Sequence, residues 1–253
     1  GFALTADGEK DFGFGMPRPF LNTDTLCDHK RKYVMGNWSP DGRYFAATLS
    51  DQRVVQDLWV INSIAKPRPT LETYKYQMPG EENTGKRKEI RVDCFKDQTI
   101  NLASKPDKER TGLTRNSIWL GDNQTFYLTR VSRDMKRVDI CSYTIGEDSV
   151  KAIIEERLNT SMETRPLAMT DNGKELIHWS ERDGWAHLYL YDAQGNLKNR
   201  ITKGPWHVDA IVDVDSKNRV VYFKANAREK GDTTPYYEHL YRVNLDGSGL
   251  KLI

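Results

Sequence analysis

The sequence predicts an all-β chain assembled from repeated sheet modules, and three observations carry that reading. First, strand-like runs dominate, and some alternate strictly: Glu89-Ile90-Arg91-Val92-Asp93-Cys94-Phe95 has the period of a strand with one wet face. Second, a polar turn feeding a strand recurs. Trp38-Ser39-Pro40-Asp41-Gly42-Arg43-Tyr44-Phe45-Ala46 has a weaker copy in Met169-Thr170-Asp171-Asn172-Gly173-Lys174-Glu175-Leu176-Ile177. Third, the turn anchors Asp41, Asn123, Asn172 and Asn218 recur, the last two intervals being 49 and 46 residues. A period of about 40 to 50 residues with four strands per unit marks a β-propeller, in which each unit buries its faces only against its neighbours. A parallel α/β sheet is disfavoured, because no convincing amphipathic helix separates the strands.

The elements follow in order. Residues 1–37 read as an irregular lead-in, since Gly13, Gly15, Pro17 and Pro19 break regular structure, although Phe12, Phe14 and Phe20 can pin it to a surface. Residues 38–104 form the first unit. The turn at Trp38 to Gly42 leads to a strand at Tyr44 to Leu49 and a second at Asp57 to Asn62. Pro67-Arg68-Pro69 turns the chain, the Tyr74 to Lys88 segment is an insertion that lengthens the first interval, and Gln98 to Leu102 pairs with the alternating run at Glu89 to Phe95. The second unit, 105–163, has strands near Ser117 to Leu120, Thr125 to Arg130, Arg137 to Tyr143 and Val150 to Ile154. The best helical candidate, near Ile153 to Leu158, reads equally well as a strand end. The third unit, 164–205, centres on two aromatic arms, Leu176 to Trp179 and Trp185 to Tyr191, joined by a turn in which Asp183-Gly184 signals a type I′ hairpin. The fourth, 206–253, contains Ala210 to Asp215, a Lys217-Asn218 turn, Val220 to Ala225, His239 to Asn244, and a last strand at Leu250 to Ile253.

The 253 residues carry 38% hydrophobic and 29% charged side chains, with a net charge of +2. That balance implies no charge-driven partner such as nucleic acid. Twelve Tyr and six Trp suit pleated surfaces. The clusters Lys30-Arg31-Lys32 and Lys86-Arg87-Lys88 read as solvated loops. Cys27, Cys94 and Cys141 make no disulfide framework and no metal spacing. Cys94 and Cys141 alternate with apolar neighbours and read as core-facing thiols, and no cofactor is expected. No run is apolar and long enough to span a membrane.

Chemistry-bearing residues concentrate in the third unit. Glu181 and Arg182 can line a propeller's central opening, or pair with each other or with a neighbouring blade. His178 and His187 sit on hairpin arms without a nucleophile or metal partner in the pattern. Trp179, Trp185 and Trp206 read as packing between blades in preference to a sugar or peptide platform. Glu81-Glu82 lies in a polar loop. Acyl transfer by a serine needs a Gly-x-Ser-x-Gly elbow with Asp and His further on; Gly247-Ser248-Gly249 has the wrong spacing, so no catalytic triad is expected in this chain.

From Trp38 onward the sequence resembles the N-terminal propeller of the dipeptidyl peptidase IV family, in the prolyl oligopeptidase clan of serine peptidases. The resemblance rests on Trp38 to Gly42, Thr73 to Glu81, Val138 to Cys141, Ser180 to Asp192 and Pro235 to Leu250, in the family's order. It implies an eight-bladed propeller, of which about four blades are present here, capping a C-terminal α/β-hydrolase domain. It implies a serine-type dipeptidyl peptidase acting on peptide N-termini with Pro or Ala in second place, a homodimer, and a bacterial periplasm or cell surface as its location. In that role this chain gates and positions substrate. The family's adjacent glutamates, which hold the substrate's α-ammonium, correspond to Leu26-Cys27-Asp28-His29-Lys30, where only Asp28 can serve. Four blades cannot close a ring of eight, so apolar blade faces exposed at both ends and self-association are expected. The competing reading is a free-standing periplasmic propeller that binds proteins.

Overall fold

A computed structural model describes residues 8–14, 34, 36–83, 85–93, 98–101, 115–119, 122, 124–147, 150–170, 173–231 and 234–253. Every regular element among them is a strand, and none of them contains a helix long and apolar enough to cross a membrane. The chain divides into two compact units, residues 1–38 with 42–112, and residues 39–41 with 113–253.

In the first unit, β1 (Phe12–Phe14) and β2 (Gly36–Trp38) run in succession along one edge of β3 (Tyr44–Asp51). The other edge of β3 is paired along its whole length, Tyr44↔Asp93 to Asp51↔Lys86. Gly36 is required where β2 crosses β3: a Cβ there would lie 2.4 Å from the Ala46 carbonyl oxygen and 2.5 Å from the Phe45 ring. Phe12 and Phe14 pack on buried Leu49. The segment read as irregular therefore contains β1 and supplies all of β2 but Trp38. Pairing with a preformed edge overrides the local glycine content, which alone disfavours a strand.

A larger difference follows. β4 (Asp57–Asn62) and β5 (Thr70–Lys75) form their own two-stranded sheet, and β6 (Lys86–Asp93) is the neighbour of β3, followed by β7 (Gln98–Asn101). The expected second blade strand, Asp57 to Asn62, is instead one arm of an excursion that begins well before Tyr74. The turn between β4 and β5 closes locally, at little entropic cost, while β3 takes the longer complementary strand. The pairing of Gln98 to Asn101 with the alternating run is as expected.

The second unit holds three consecutive antiparallel meanders. Blade 2 comprises β8 (Arg115–Trp119), β9 (Thr125–Val131), β10 (Arg137–Thr144) and β11 (Lys151–Arg157). The best helical candidate thus lies in strand up to Arg157. Blade 3 comprises β12 (Ala168–Met169), β13 (Glu175–Ser180), β14 (His187–Asp192) and β15 (Leu197–Arg200). Blade 4 comprises β16 (His207–Asp215), β17 (Val220–Asn226), β18 (His239–Asn244) and β19 (Lys251–Leu252). These four-stranded meanders are the blades of a β-propeller.

Period-two alternation on β13 decides what each blade face meets. Leu176 joins Tyr127, Ile140, Ile154, Tyr189 and Tyr191 in a cluster shared with blade 2. Ile177 and Trp179 join Leu188, Leu190, Trp206, Val208, Phe223 and Tyr241 in a larger cluster shared with blade 4. All of β13 is buried, as a strand sandwiched on both faces must be. Trp206 stacks on Phe223, with ring centroids 6.1 Å apart and planes 17° from parallel, and His187 meets it edge-on at 5.0 Å. Trp179 and Trp206 pack between blades as expected, but Trp185 does not: it is 42% exposed on the loop between β13 and β14. That loop is wider than the expected type I′ turn. Ser180 pairs with His187, the Gly184 N–H donates to the Glu181 carbonyl at 2.9 Å, and Gly184 takes the positive φ of 84° while Asp183 does not. Val212 and Leu240 are exposed on blade 4.

Candidate functional site at the rim of blades 2 to 4

Three chain segments meet where β13 ends. They are the connector from blade 2 to blade 3, around residues 162–166, the Glu181 to Ala186 loop, and the start of β16. At their base lies Glu156 of β11, whose side chain is 8% exposed. His178 Nε2 lies 2.9 Å from its Oε2, the Ser180 hydroxyl donates to its Oε1 at 2.6 Å, and the Arg182 guanidinium is ion-paired with it. Burial pushes the Glu156 carboxyl upward, but hydrogen bonding and charge from His178, the Ser180 hydroxyl and Arg182 outweigh it and hold the group below its usual range. Alternation explains the grouping: His178 and Ser180 share the β13 face that looks at blade 2.

Serine, histidine and glutamate together invite a catalytic reading, which the geometry rejects. In a working triad the hydroxyl gives its proton to the imidazole and the carboxylate orients that imidazole. Here the Ser180 hydroxyl gives its proton to the carboxylate itself. Its oxygen then accepts from the Arg182 N–H at 3.2 Å and Nε at 3.1 Å, and Ser180 is 2% exposed. The group is a buried polar lock between blades.

Arg182 is held on a second side by aromatic faces, its guanidinium carbon 4.4 Å from the Tyr189 ring centre and 5.7 Å from that of Tyr191. The Tyr189 hydroxyl donates to Asp183 at 2.5 Å, and Arg200 donates to the same carboxylate oxygen at 2.7 Å. Glu181 accepts the Glu163 backbone N–H at 3.2 Å, tying the loop to the connector. Of the sequence-selected residues, then, Arg182 is committed to the neighbouring blade and Glu181 to the connector. Asp28 lies outside the described residues.

The sequence reading did not single out Arg165, which the fold sets into this rim. Its Nε donates to the Asp209 carbonyl at 2.9 Å, one terminal nitrogen donates to Glu163 at 2.7 Å, and its guanidinium lies 4.9 Å from the Trp179 ring centre. Its neighbours are an exposed acid and an aromatic face; the preceding run Glu163-Thr164 carries no motif that would have flagged it. On the inner side of the blade 3–4 seam, His187 is fully buried. Nε2 lies 2.9 Å from the Gly204 carbonyl, which can only accept, and Nδ1 lies 3.1 Å from the Thr202 hydroxyl, which accepts the Leu188 N–H. The tautomer protonated on Nε2 satisfies every group, and burial lowers the imidazole's pKa. His187 is a structural latch. Cys141 is likewise inert: burial raises its thiol to about 12.

Sheets of four antiparallel strands in sequence order, locked face to face by side chains, place this chain in the β-propeller class. Residues 3–252 match the family described as the dipeptidyl peptidase IV N-terminal region, and the chain belongs to that family. It is similar to dipeptidyl peptidase 4 of Trichophyton tonsurans, 26% identical over 258 residues, which cover 96% of this chain and 32% of the relative. It is also similar to dipeptidyl peptidase 4 of Arthroderma otae, 42% identical over 76 residues. Two solved structures share the fold. Porphyromonas gingivalis dipeptidyl peptidase 4 has a TM-score of 0.79 and 20% identity, covering 98% of this chain and 34% of that one. A putative dipeptidyl aminopeptidase IV from Bacteroides ovatus has a TM-score of 0.72 and 22% identity, covering 85% and 32%. The chain thus spans about a third of the length of the curated relatives it matches.

Proposed function

We propose that this chain is the substrate-gating and positioning propeller of a dipeptidyl peptidase IV-type serine exopeptidase, with bond cleavage performed by an α/β-hydrolase domain outside these residues. The observation that carries the reading is the family match across 3–252 combined with a coverage of about a third of relatives such as that of Trichophyton tonsurans. A seam lock that consumes Ser180 and His178 fits the assignment of chemistry elsewhere. In this role Asp28 holds the substrate's α-ammonium, and the rim formed by Glu163, Arg165, Glu181, Arg182 and exposed Trp185 meets the peptide. The blades are those of the sequence reading, at 38–104, 105–163, 164–205 and 206–253, the first of them also taking β1 and β2 from the lead-in at 1–37, and the location is the periplasm or cell surface.

The test uses the full-length protein on chromogenic Ala-Pro and Gly-Pro conjugates, with and without an N-terminal block. Cleavage that stops on blocking supports the exopeptidase. Equal rates on both substrates would overturn it. Asp28→Asn is expected to raise KM for the free-amine substrates, and an unchanged KM would overturn the role given to Asp28.

A homodimer belongs to the same proposal, and the β4–β5 hairpin is its favoured contact. Trp59 is 72% exposed, Ile61 70% and Ile64 87%. A two-stranded sheet with so much apolar surface in water is marginal alone. Charging this face with Trp59→Glu and Ile61→Lys is expected to yield monomer by light scattering.

A further inference from the structure

The loop between β13 and β14 is tied down almost residue by residue, and the ties reach different parts of the blades around it. The Glu181 carboxylate accepts the Glu163 backbone N–H of the connector at 3.2 Å. Arg182 is ion-paired with Glu156 of blade 2 and lies over the Tyr189 ring. Asp183 accepts from the Tyr189 hydroxyl at 2.5 Å and from Arg200 of β15 at 2.7 Å. The Gly184 N–H closes the turn onto Glu181, and the Ala186 carbonyl accepts the Val208 N–H of blade 4 at 3.0 Å. Ala186 is 1% exposed, whereas Trp185, between the last two ties, is 42% exposed.

An apolar ring on an unordered loop gains little from a ligand, because binding must order the loop as well. Here both neighbouring blades order the loop beforehand. An indole then offers wide apolar contact with only two side-chain torsions to fix, which is why such rings concentrate binding energy once a partner covers them. The charged side chains that precede Trp185 are engaged in the ties just described, so the indole is the largest group the loop presents. We propose that Trp185 is a specificity-determining contact for an aliphatic or aromatic side chain of the peptide substrate, beyond the dipeptide that is released. The inference rests on the peptidase reading above and adds a substrate class to it. In that reading Asp28 holds the amino end and the catalytic domain takes the dipeptide, so the rest of the peptide is what reaches a rim loop of blade 3.

The test uses the full-length protein and peptides that all begin Ala-Pro. One continues with serines only; the others carry a single Phe at the third, fourth, fifth or sixth position. Competition assays give the ratio of kcat/KM for each Phe peptide to that of the serine peptide. At one position or more this ratio is expected to be about tenfold, to fall to about one in Trp185→Ser, and to be largely kept in Trp185→Tyr. A residue that merely helps the loop to fold slows every peptide alike and leaves the ratio unchanged. That result would overturn the proposal, as would a wild-type ratio near one at every position. Should Trp185→Ser not fold, Trp185→Gln takes its place with the same expectation. A full-length protein that cleaves neither these peptides nor the Ala-Pro conjugate overturns the peptidase reading itself, and this proposal with it.

Discussion

The two faces of blade 3 are joined to their neighbours by different physics, although one strand supplies both. Toward blade 4, β13 offers Ile177 and Trp179 to a core of aliphatic and stacked aromatic side chains, among them Phe223 and Tyr241, both fully buried. Toward blade 2 it offers Leu176 to a smaller apolar cluster, and His178 and Ser180 to the Glu156 carboxylate. The apolar seam is adaptable: hydrophobic burial is non-directional and tolerates small slides. The polar seam is not, because a buried carboxylate is stable only with its partners in place. The difference teaches that the blade 2–3 junction is fixed in register, and the rim above it inherits that fixity through Arg182 and the Glu181 contact to the connector.

The strongest way to break the contrast is in the apolar seam. Phe223→Ala is expected to cost about 3–5 kcal/mol, measured by urea unfolding, because a fully buried ring is lost and Trp206 and Tyr241 lose a stacking partner. A cost near zero would mean the seam repacks freely.

Next is Glu156→Ala, expected to cost about 3 kcal/mol by leaving the Arg182 cation partly buried without its counter-charge. The pH profile sharpens the point. The Glu156 carboxyl titrates below its ordinary value near 4.5, so its contribution is present above that pH and is lost as the pH falls through the folded value. Acid unfolding curves of Glu156→Gln should be flatter than wild type below about pH 4.5. In the other seam His187 has a lowered pKa against an ordinary 6.5. The unfolded chain therefore binds more protons, and stability falls as the pH drops below about 6.5. The slope from this group is at most about 1.4 kcal/mol per pH unit. His187→Asn should remove that slope and leave the Glu156 region unchanged.

Gly195→Ala tests the seam through the backbone. Gly195 has φ of 89°, and a Cβ there would lie 2.1 Å from the Ile153 carbonyl of blade 2. About 2 kcal/mol of destabilisation is expected by thermal unfolding. Arg182→Met keeps most of the packing on Tyr189 and leaves the Glu156 carboxylate to Ser180 and His178, and should cost about 1.5–2 kcal/mol.

Much of this was legible in sequence. The blade 2 strands at Thr125 to Arg130 and Arg137 to Tyr143 fall where strand-like runs after polar turns put them, and Trp179 and Trp206 are buried between blades. The pairing of Arg182 with a neighbouring blade was one of the three options that sequence left open. What could not be read was non-local. Asp57–Asn62 has the apolar run of a blade strand, yet pairs with Thr70–Lys75. Trp185 has the composition of a packed ring, yet faces solvent. Arg165 sits in no motif and enters the rim only because its connector crosses β16.

By itself the sequence determined the strand-rich character, the recurring turn-and-strand unit and the absence of a serine elbow, since alternation and turn chemistry are local properties of the backbone. The tertiary structure alone decided that β3 takes β6 as its neighbour and that Glu156 gathers His178, Ser180 and Arg182. A period of two tells which residues share a face; only the neighbouring blade, brought in from far along the chain, tells what that face must satisfy.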